Sequence, residues 1–171
     1  MFRYHDGFSR MAEWARSGLL GQVFAIRAHM STSADMEARV RIGAHRGGIF
    51  YDLAGHVLDQ IVWVLGRPDK VTSFLRHDDA MAPGFKDNTL GVFEFDDAMA
   101  IIDIAAMGPT PRPRRFEVYG TEGWAIMEPM EPAETVRLCL SEPRGDYPAG
   151  ITTIELEDRP RYVASLAAFL K

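Results

Sequence analysis

The chain has 171 residues, of which 47% are hydrophobic and 25% charged, and its formal net charge is −5. This composition excludes a disordered chain, and a chain of this length buries roughly 70% of the surface that its unfolded form exposes. The basic residues are scattered apart from Arg112, Arg114 and Arg115, which excludes a nucleic-acid footprint. The single cysteine, Cys139, excludes an internal disulfide, and no apolar run approaches the roughly 20 residues of a membrane span. We therefore expect a soluble, cytoplasmic protein that binds neither nucleic acid nor a membrane.

The predicted elements begin with a helix over residues 8–17, where apolar side chains recur at helical spacing. Alternation then predicts a strand over 22–30. Residues 31–47 are polar and are interpreted as an irregular loop, a feature that is often functional in a compact domain. A long helix over 49–65 follows, and a glycine with a proline shortly after it marks its end.

Strands dominate the rest of the chain. Seven further segments have the character of strands: 71–75, 89–95, 99–106, 115–119, 124–127, 136–140 and 152–156. An apolar-rich helix over 162–170 comes last and has no cap, which suggests a truncated C-terminus. Helices followed by many strands predict an α+β fold, a largely antiparallel open β-sheet with helices packed on one face. The elements do not alternate as in a Rossmann domain, and no Gly-x-Gly-x-x-Gly follows a strand, so we predict no Rossmann domain in this chain.

The long helix has a polar stripe that could do chemistry. Asp52, His56 and Asp59 are four and three residues apart and therefore share one side of the helix, which Trp63 extends. Such a stripe is in general the solvated side of an amphipathic helix. Here, however, Trp63 would be costly to leave in water and suggests the wall of a cleft. Gly55 lowers helix stability by about 0.5–1 kcal/mol relative to alanine, which the close approach of another group would explain.

Asp52 and His56 suit general acid–base catalysis. Oxidation of a secondary alcohol removes a hydride from carbon and a proton from oxygen, and an imidazole, with an ordinary pKa of about 6.5, can accept that proton. A neighbouring carboxylate can orient the imidazole or bind the substrate. A metal site is a weaker interpretation because the sequence has no strong metal signature, so we predict no metal.

An ordered series of residues surrounds this pair. The series is Gly47-Gly48-x-x-x-Asp52-x-x-x-His56-x-x-Asp59-x-x-x-x-x-Leu65-Gly66-x-Pro68. It resembles the active-site helix of the Gfo/Idh/MocA oxidoreductases, a family that includes inositol and sugar dehydrogenases. The segments 3–5, 18–23, 89–99 and 118–123 resemble further parts of the same family, so that the resemblance covers nearly the whole chain.

The resemblance implies that residues 1–171 form the C-terminal domain of a two-domain oxidoreductase, which binds substrate, contributes to catalysis and mediates oligomerisation. It implies that His56 exchanges a proton with a hydroxyl of a sugar or polyol substrate, that Asp52 orients this histidine or binds the sugar, and that Asp59 has a supporting structural role. The N-terminal domain that binds NAD or NADP, with the family's Glu-Lys-Pro lysine, has no counterpart here. We therefore expect no cofactor on this chain alone, and a homo-oligomer formed through the sheet.

Two further residues are candidate substrate ligands. His45 lies in the loop before the long helix and Asn88 lies just before a strand, although a solvated loop and a turn that caps the strand explain them equally well. Three functions stay open: this part of a sugar or polyol dehydrogenase, a non-catalytic binding or assembly module derived from it, and a cofactor-free lyase or isomerase. The ordered series favours the first, without deciding the exact substrate or between NAD and NADP.

Overall fold

The computed structural model of this chain describes residues 2–80, 82–112, 114–157 and 162–170. An eight-stranded sheet with the order β2-β3-β4-β1-β5-β6-β7-β8 forms its centre. The strands are β1 (Val23–His29), β2 (Lys70–Arg76), β3 (Asn88–Glu94), β4 (Met99–Ala105), β5 (Arg115–Gly120), β6 (Gly123–Met127), β7 (Thr135–Leu140) and β8 (Gly150–Glu155). Neighbouring strands are antiparallel except β1 and β4, which are parallel. All eight predicted strands are thus present, and the sheet is largely antiparallel as expected.

Among the described residues, four α-helices accompany this sheet: α1 (Asp6–Arg16), α2 (Met36–Gly43), α3 (Ile49–Leu65) and α4 (Val163–Phe169), and a 3₁₀ helix (Phe2–Tyr4) precedes α1. Of these, α1 and α3 lie against one face of the sheet and α2 packs on α3, whereas Val163, Leu166 and Phe169 of α4 are exposed. The long helix α3 packs on β3 and β4, and α1 packs beside it and against β5. The predicted α+β architecture is therefore confirmed, and no Rossmann unit is found among the described elements. None of the described helices has the length and apolar content that crossing a bilayer requires.

The core lies between the helices and the covered face of the sheet. Every second residue of the central strands points into it, because side chains alternate between the two faces of a strand. The fully or almost fully buried side chains from the sheet and from the two helices include Ile26, Ile102, Ile104, Phe116, Val118, Phe8, Met11, Val57 and Ile61. This interdigitation fixes the rotation of α3 about its axis, and so decides which of its residues face outwards.

Glycines delimit α3 at the predicted bounds. Gly48 has φ 54°, and a Cβ there would collide with the backbone carbonyl of Lys86. That same carbonyl accepts a hydrogen bond of 2.9 Å from the backbone N–H of Ile49, one of the donors that a helix start leaves without an intrahelical partner. At the other end Gly66 has φ 83°, a conformation that favours glycine. Position 48 therefore requires glycine for the loop before β3 to approach the start of α3.

The interpretation of residues 31–47 as an irregular loop is wrong, because α2 lies within them. Asp35 caps this helix by accepting a hydrogen bond of 2.8 Å from the backbone N–H of Ala38. Its apolar residues stand at every second position instead of recurring at helical spacing, and only Arg39 and Ile42 are buried, which is why its helical periodicity is weak. Arg39 is buried because its guanidinium donates to the carbonyls of Ala34 and Ala106, so it does not belong to a solvated loop.

Candidate active site

The outward side of α3 carries both predicted catalytic residues. Asp52 and His56 are exposed, as are Tyr51 and Gly55, whereas Val57 on the opposite side is completely buried. The apolar stripe of the helix packs on the sheet and leaves this polar stripe outwards. No hydrogen bond joins Asp52 and His56 among the described residues, so each side chain is available to a ligand.

His56 borders a concavity of about 340 Å³ between α3 and the 3₁₀ helix. Its imidazole lies 5.5 Å from the ring of Phe2, centroid to centroid, with 42° between the ring planes. The remaining residues that border this space are Arg3, Tyr4, Gly55 and Asp59. The histidine therefore has an apolar ring on one side and an open, partly polar space on the other.

The carboxylate of Asp59 forms a salt bridge within the chain, with Arg3. Both of its carboxylate oxygens accept hydrogen bonds from Arg3, at 2.6 and 2.8 Å. This hydrogen bond raises the pKa of the Arg3 guanidinium above its usual value and so preserves its charge. The pair ties the 3₁₀ helix to α3 and thereby holds one wall of the concavity in place.

Trp63 borders a concavity, but not the one at His56: it lines a separate space of about 460 Å³ together with Ser9, Glu13, Arg16 and Ser17. The guanidinium carbons of Arg3 and Arg16 lie 5.3 and 5.8 Å from the centroid of the indole. Cation–π attraction to two arginines, one from the 3₁₀ helix and one from α1, accounts for the half-buried position of the ring.

The expected close approach to Gly55 is also not found. A Cβ at this position would have no atom of another described residue within 4 Å, apart from its chain neighbours and the helix's own backbone. Glycine here leaves the helix backbone open at the surface between Asp52 and His56. Packing within the described chain does not explain the choice of glycine.

The two other candidate ligands lie in different places. The ring of His45 stacks on that of Tyr51, with centroids 4.2 Å apart and 21° between the planes, and so lies beside the outward side of α3. Asn88 lies on the opposite, uncovered face of the sheet, since its strand neighbours Thr89 and Gly91 face the helices. Its side-chain amide donates to Asp78 at 2.7 Å. The structure thus brings His45, but not Asn88, to the helix that carries Asp52 and His56.

Sequence reasoning missed three residues around this site: Phe2, Arg3 and Tyr51. The resemblance of residues 3–5 to a family segment was the signal for Arg3, and nothing in the sequence marked Phe2. For Tyr51, the signal was its position next to Asp52 in the ordered series.

The described residues do not fit a metal ion or a dinucleotide. No group of three or more His, Cys, Asp or Glu in the described part of the chain could hold a metal. A dinucleotide needs a glycine-rich turn between a strand and a helix whose N-terminal N–H groups can bind phosphate. The first N–H of α3 instead donates to Lys86 of this chain. Any nucleotide site would have to be formed by other residues.

The comparisons with known proteins agree with this fold. The profile of the GFO/IDH/MocA C-terminal domain matches residues 8–126. The uncharacterized oxidoreductase YhhX of Escherichia coli (strain K12) is 28% identical over 137 residues, which are 78% of this chain and 38% of that protein.

Solved structures show the same fold at low identity. An oxidoreductase from Thermotoga maritima superposes with a TM-score of 0.75 at 17% identity, over 98% of this chain and 48% of that one. Levoglucosan dehydrogenase, solved with NADH and levoglucosan, gives 0.74 at 16% identity over 90% and 45%. An inositol dehydrogenase homologue from Azotobacter vinelandii, solved with NADH and myo-inositol, gives 0.72 at 14% identity over 92% and 42%. The chain spans less than half the length of each of these relatives.

Because the family profile covers most of its length, this chain belongs to the Gfo/Idh/MocA oxidoreductases, in which it corresponds to the C-terminal domain.

Proposed function

We propose that this chain is the substrate-binding and catalytic part of an NAD(P)-dependent oxidoreductase that acts on a secondary alcohol of a sugar, inositol or related polyol. The position of His56 supports this most directly: it borders an open concavity one helical turn from Asp52, in a domain of this family. Relatives of the same fold have been solved with NADH together with levoglucosan or myo-inositol, which supports this substrate class.

In this proposal His56 accepts the proton of the substrate hydroxyl, and Asp52 binds a neighbouring hydroxyl or orients the imidazole. The hydride that leaves the same carbon would go to a nicotinamide held by a separate nucleotide-binding domain. Both side chains are exposed in this chain, so such a domain also has to cover the concavity to exclude water during the reaction. The salt bridge between Arg3 and Asp59 links the 3₁₀ helix to α3 and so keeps the side of the concavity beside His56 in place.

The test is turnover by the complete protein that contains this chain, with NAD and with NADP, on a panel of sugars and polyols. We expect His56→Ala to lower kcat/KM by at least about 100-fold, the low end for the loss of a positioned acid–base group. Asp52→Asn is expected to lower it as well, whereas Asp97→Asn, a matched change at an exposed turn, leaves it unaltered. Circular dichroism checks that the variants fold. Unchanged turnover in His56→Ala would reject His56 as the proton carrier.

The uncovered face of the sheet supports a further part of the proposal, a homo-oligomer formed through the sheet. Phe74, Met99 and Ile151 lie on this face and are 54%, 46% and 64% exposed. Exposed apolar side chains spread over a broad surface are typical of subunit interfaces. A carboxylate placed there would be buried without a partner on association.

Sedimentation at a series of concentrations tests this assembly. We expect Met99→Glu to weaken self-association at least about 10-fold, the equivalent of one buried apolar contact replaced by a charge. Val40→Glu, which changes an exposed valine of α2, serves as the control. A protein that stays monomeric at all concentrations, or associates equally well with Met99→Glu, would contradict the proposed interface.

A second candidate function is a non-catalytic binding or assembly module derived from this domain. If the complete protein binds a polyol but shows no turnover with either nicotinamide cofactor, this second candidate is the correct one. Turnover in the absence of any nicotinamide would instead support the cofactor-free lyase or isomerase.

A further inference from the structure

We infer that Tyr51 and Gly55 select the substrate at this site, and that together they favour a cyclic polyol or sugar ring over an open-chain polyol. Tyr51 would support the apolar C–H face of the ring, and Gly55 would leave the space that the ring occupies above the helix. This inference rests on the proposed function, because it takes Asp52 and His56 as the groups that meet the substrate hydroxyls.

The geometry of α3 places the four residues around one patch. At 3.6 residues per turn, Tyr51 and His56 are separated by about 140° around the helix axis and by about 7.5 Å along it. Asp52 and Gly55 lie between them in angle, and all four residues are exposed. Tyr51 and His56 thus lie at the two edges of one exposed patch, with Asp52 and Gly55 between them.

Tyr51 is held as a platform by the loop that precedes α3. Its ring stacks on His45 at 4.2 Å, and a Cβ at Gly47 would come within 3.0 Å of the Cβ of Tyr51. The ring nevertheless remains 64% exposed, so that His45 covers only part of it. An aromatic ring that is restrained yet left in water presents a flat apolar surface at little further entropic cost to binding.

Gly55 supplies the space beside this platform. A Cβ there would touch nothing within 4 Å, so neither packing nor a strained backbone requires glycine, and alanine would favour the helix. The missing side chain lets a ligand approach the helix backbone between the two predicted catalytic residues. A larger residue would fill this space without disturbing the fold.

A ring suits this patch better than an open chain does. A pyranose or cyclitol has a rigid C–H face that can lie on Tyr51 while hydroxyls at its edge reach Asp52 and His56. An open-chain polyol must first fix several rotatable bonds to present a comparable apolar face, and the entropy lost in doing so weakens its binding. Selection by shape therefore adds to the hydrogen bonds that any polyol can make.

The experiment compares cyclic and open-chain probes in the complete protein. The cyclic probes are myo-inositol and glucose, and the open-chain probe is sorbitol. We expect Tyr51→Ala and Gly55→Leu each to raise KM for the better cyclic probe at least about 10-fold, the lower range for a pocket contact, and to change KM for sorbitol less than about threefold. The kcat values should change much less than KM, because the lost contact is equal in the ground and transition states.

Two further variants separate recognition from folding. Tyr51→Phe keeps the ring, so we expect its KM for the cyclic probe to stay close to that of the unaltered protein. A KM as high as in Tyr51→Ala would mean that the hydroxyl, and not the ring, makes the contact. Val62→Ala changes an exposed residue about two turns beyond Gly55 on the same helix, and the ratio of kcat/KM for cyclic and open-chain probes should be unaltered in it.

The outcomes distinguish this inference from the proposed function. If His56→Ala abolishes turnover but Tyr51→Ala and Gly55→Leu leave the cyclic-to-open ratio unchanged, the inference is overturned and the proposed function stands. If His56→Ala leaves turnover unaltered, the proposed function fails. The inference is then tested by calorimetry, which measures the Kd of the cyclic probes. In that case a Kd for the cyclic probes at least about 10-fold weaker in both variants supports it, and an unchanged Kd overturns it.

Discussion

Ile101 and Ile102 are neighbours in β4, but they belong to two very different surfaces. Ile102 lies under the helices with no exposed surface, and Ile101 lies on the uncovered face, opposite Arg27 of β1 and Val92 of β3. The same alternation divides the central strands of the sheet, whereas the edge strand β2 is exposed on both faces. The covered face is nearly all apolar, whereas the uncovered face mixes apolar side chains with ion pairs.

The ion pairs of the uncovered face are organised around Glu117. Its side chain is only 7% exposed, pairs with the guanidinium of Arg115 and accepts a hydrogen bond of 2.6 Å from the hydroxyl of Tyr119. Nearby, Nδ1 of His29 lies 3.0 Å from a carboxylate oxygen of Asp103. Apolar burial on the covered face tolerates small shifts in packing, but these directional contacts require each partner at its place. Apolar burial therefore stabilises the covered face of the sheet, whereas ion pairs and hydrogen bonds contribute to the stability of the uncovered face.

The two isoleucines provide the largest expected difference in stability. We expect Ile102→Ala to lower the free energy of unfolding by about 2–5 kcal/mol, because it leaves a cavity in a closed core. Ile101→Ala should cost less than about 1.5 kcal/mol in the monomer, because its site is already partly open to water. Urea unfolding of both variants measures the difference. If both variants lose the same free energy of unfolding at low protein concentration, the assignment of the two faces is contradicted. If the loss in Ile101→Ala grows with protein concentration, a second copy of the chain covers the open face.

A smaller effect is expected at the centre of the uncovered face. Glu117→Ala removes the shared partner of Arg115 and Tyr119 and should lower the free energy of unfolding by about 1–3 kcal/mol. Glu155→Ala, at an exposed position on the same face, should change it by less than about 0.5 kcal/mol. Thermal and urea unfolding of the two variants test this. A loss of similar size in both would mean that Glu117 is no more than a surface carboxylate.

The smallest effect concerns pH. Burial, followed by the hydrogen bond to Glu117, raises the pKa of the Tyr119 hydroxyl above its ordinary value of 10.0. The folded protein therefore holds this proton more tightly than the unfolded chain does. The resulting stabilisation is complete below pH 10.0 and is lost as the pH rises through the folded-state value.

Ultraviolet titration of the tyrosines and urea unfolding above neutral pH measure this effect. Tyr119→Phe should remove the alkaline loss of stability attributed to this group, and a phenol that titrates above pH 10.0 should be lost from the titration. If the phenol that is lost titrates at or below pH 10.0 instead, the hydroxyl is not protected on this face.

The sequence was sufficient for the elements with strong local patterns. The bounds of α3 follow from its periodicity and from Gly66 and Pro68, and each strand of the sheet has a local signal of alternation or apolar content. The same pattern predicted that Asp52 and His56 share one side of α3, because a helical repeat depends only on residues within a few positions of each other. The catalytic roles of both residues stay predictions.

Tertiary structure decided what depends on residues distant in the chain. The parallel pairing of β1 with β4 sets the sheet order, and contacts between elements, not local propensity, place Phe2 beside His56 and Asn88 on the far face. The short helix α2 escaped prediction because its stability depends on Asp35 at its start and on the burial of Arg39 against other segments. Local patterns determine which residues form an element and which side is apolar, but pairing and packing across the chain determine what each side meets.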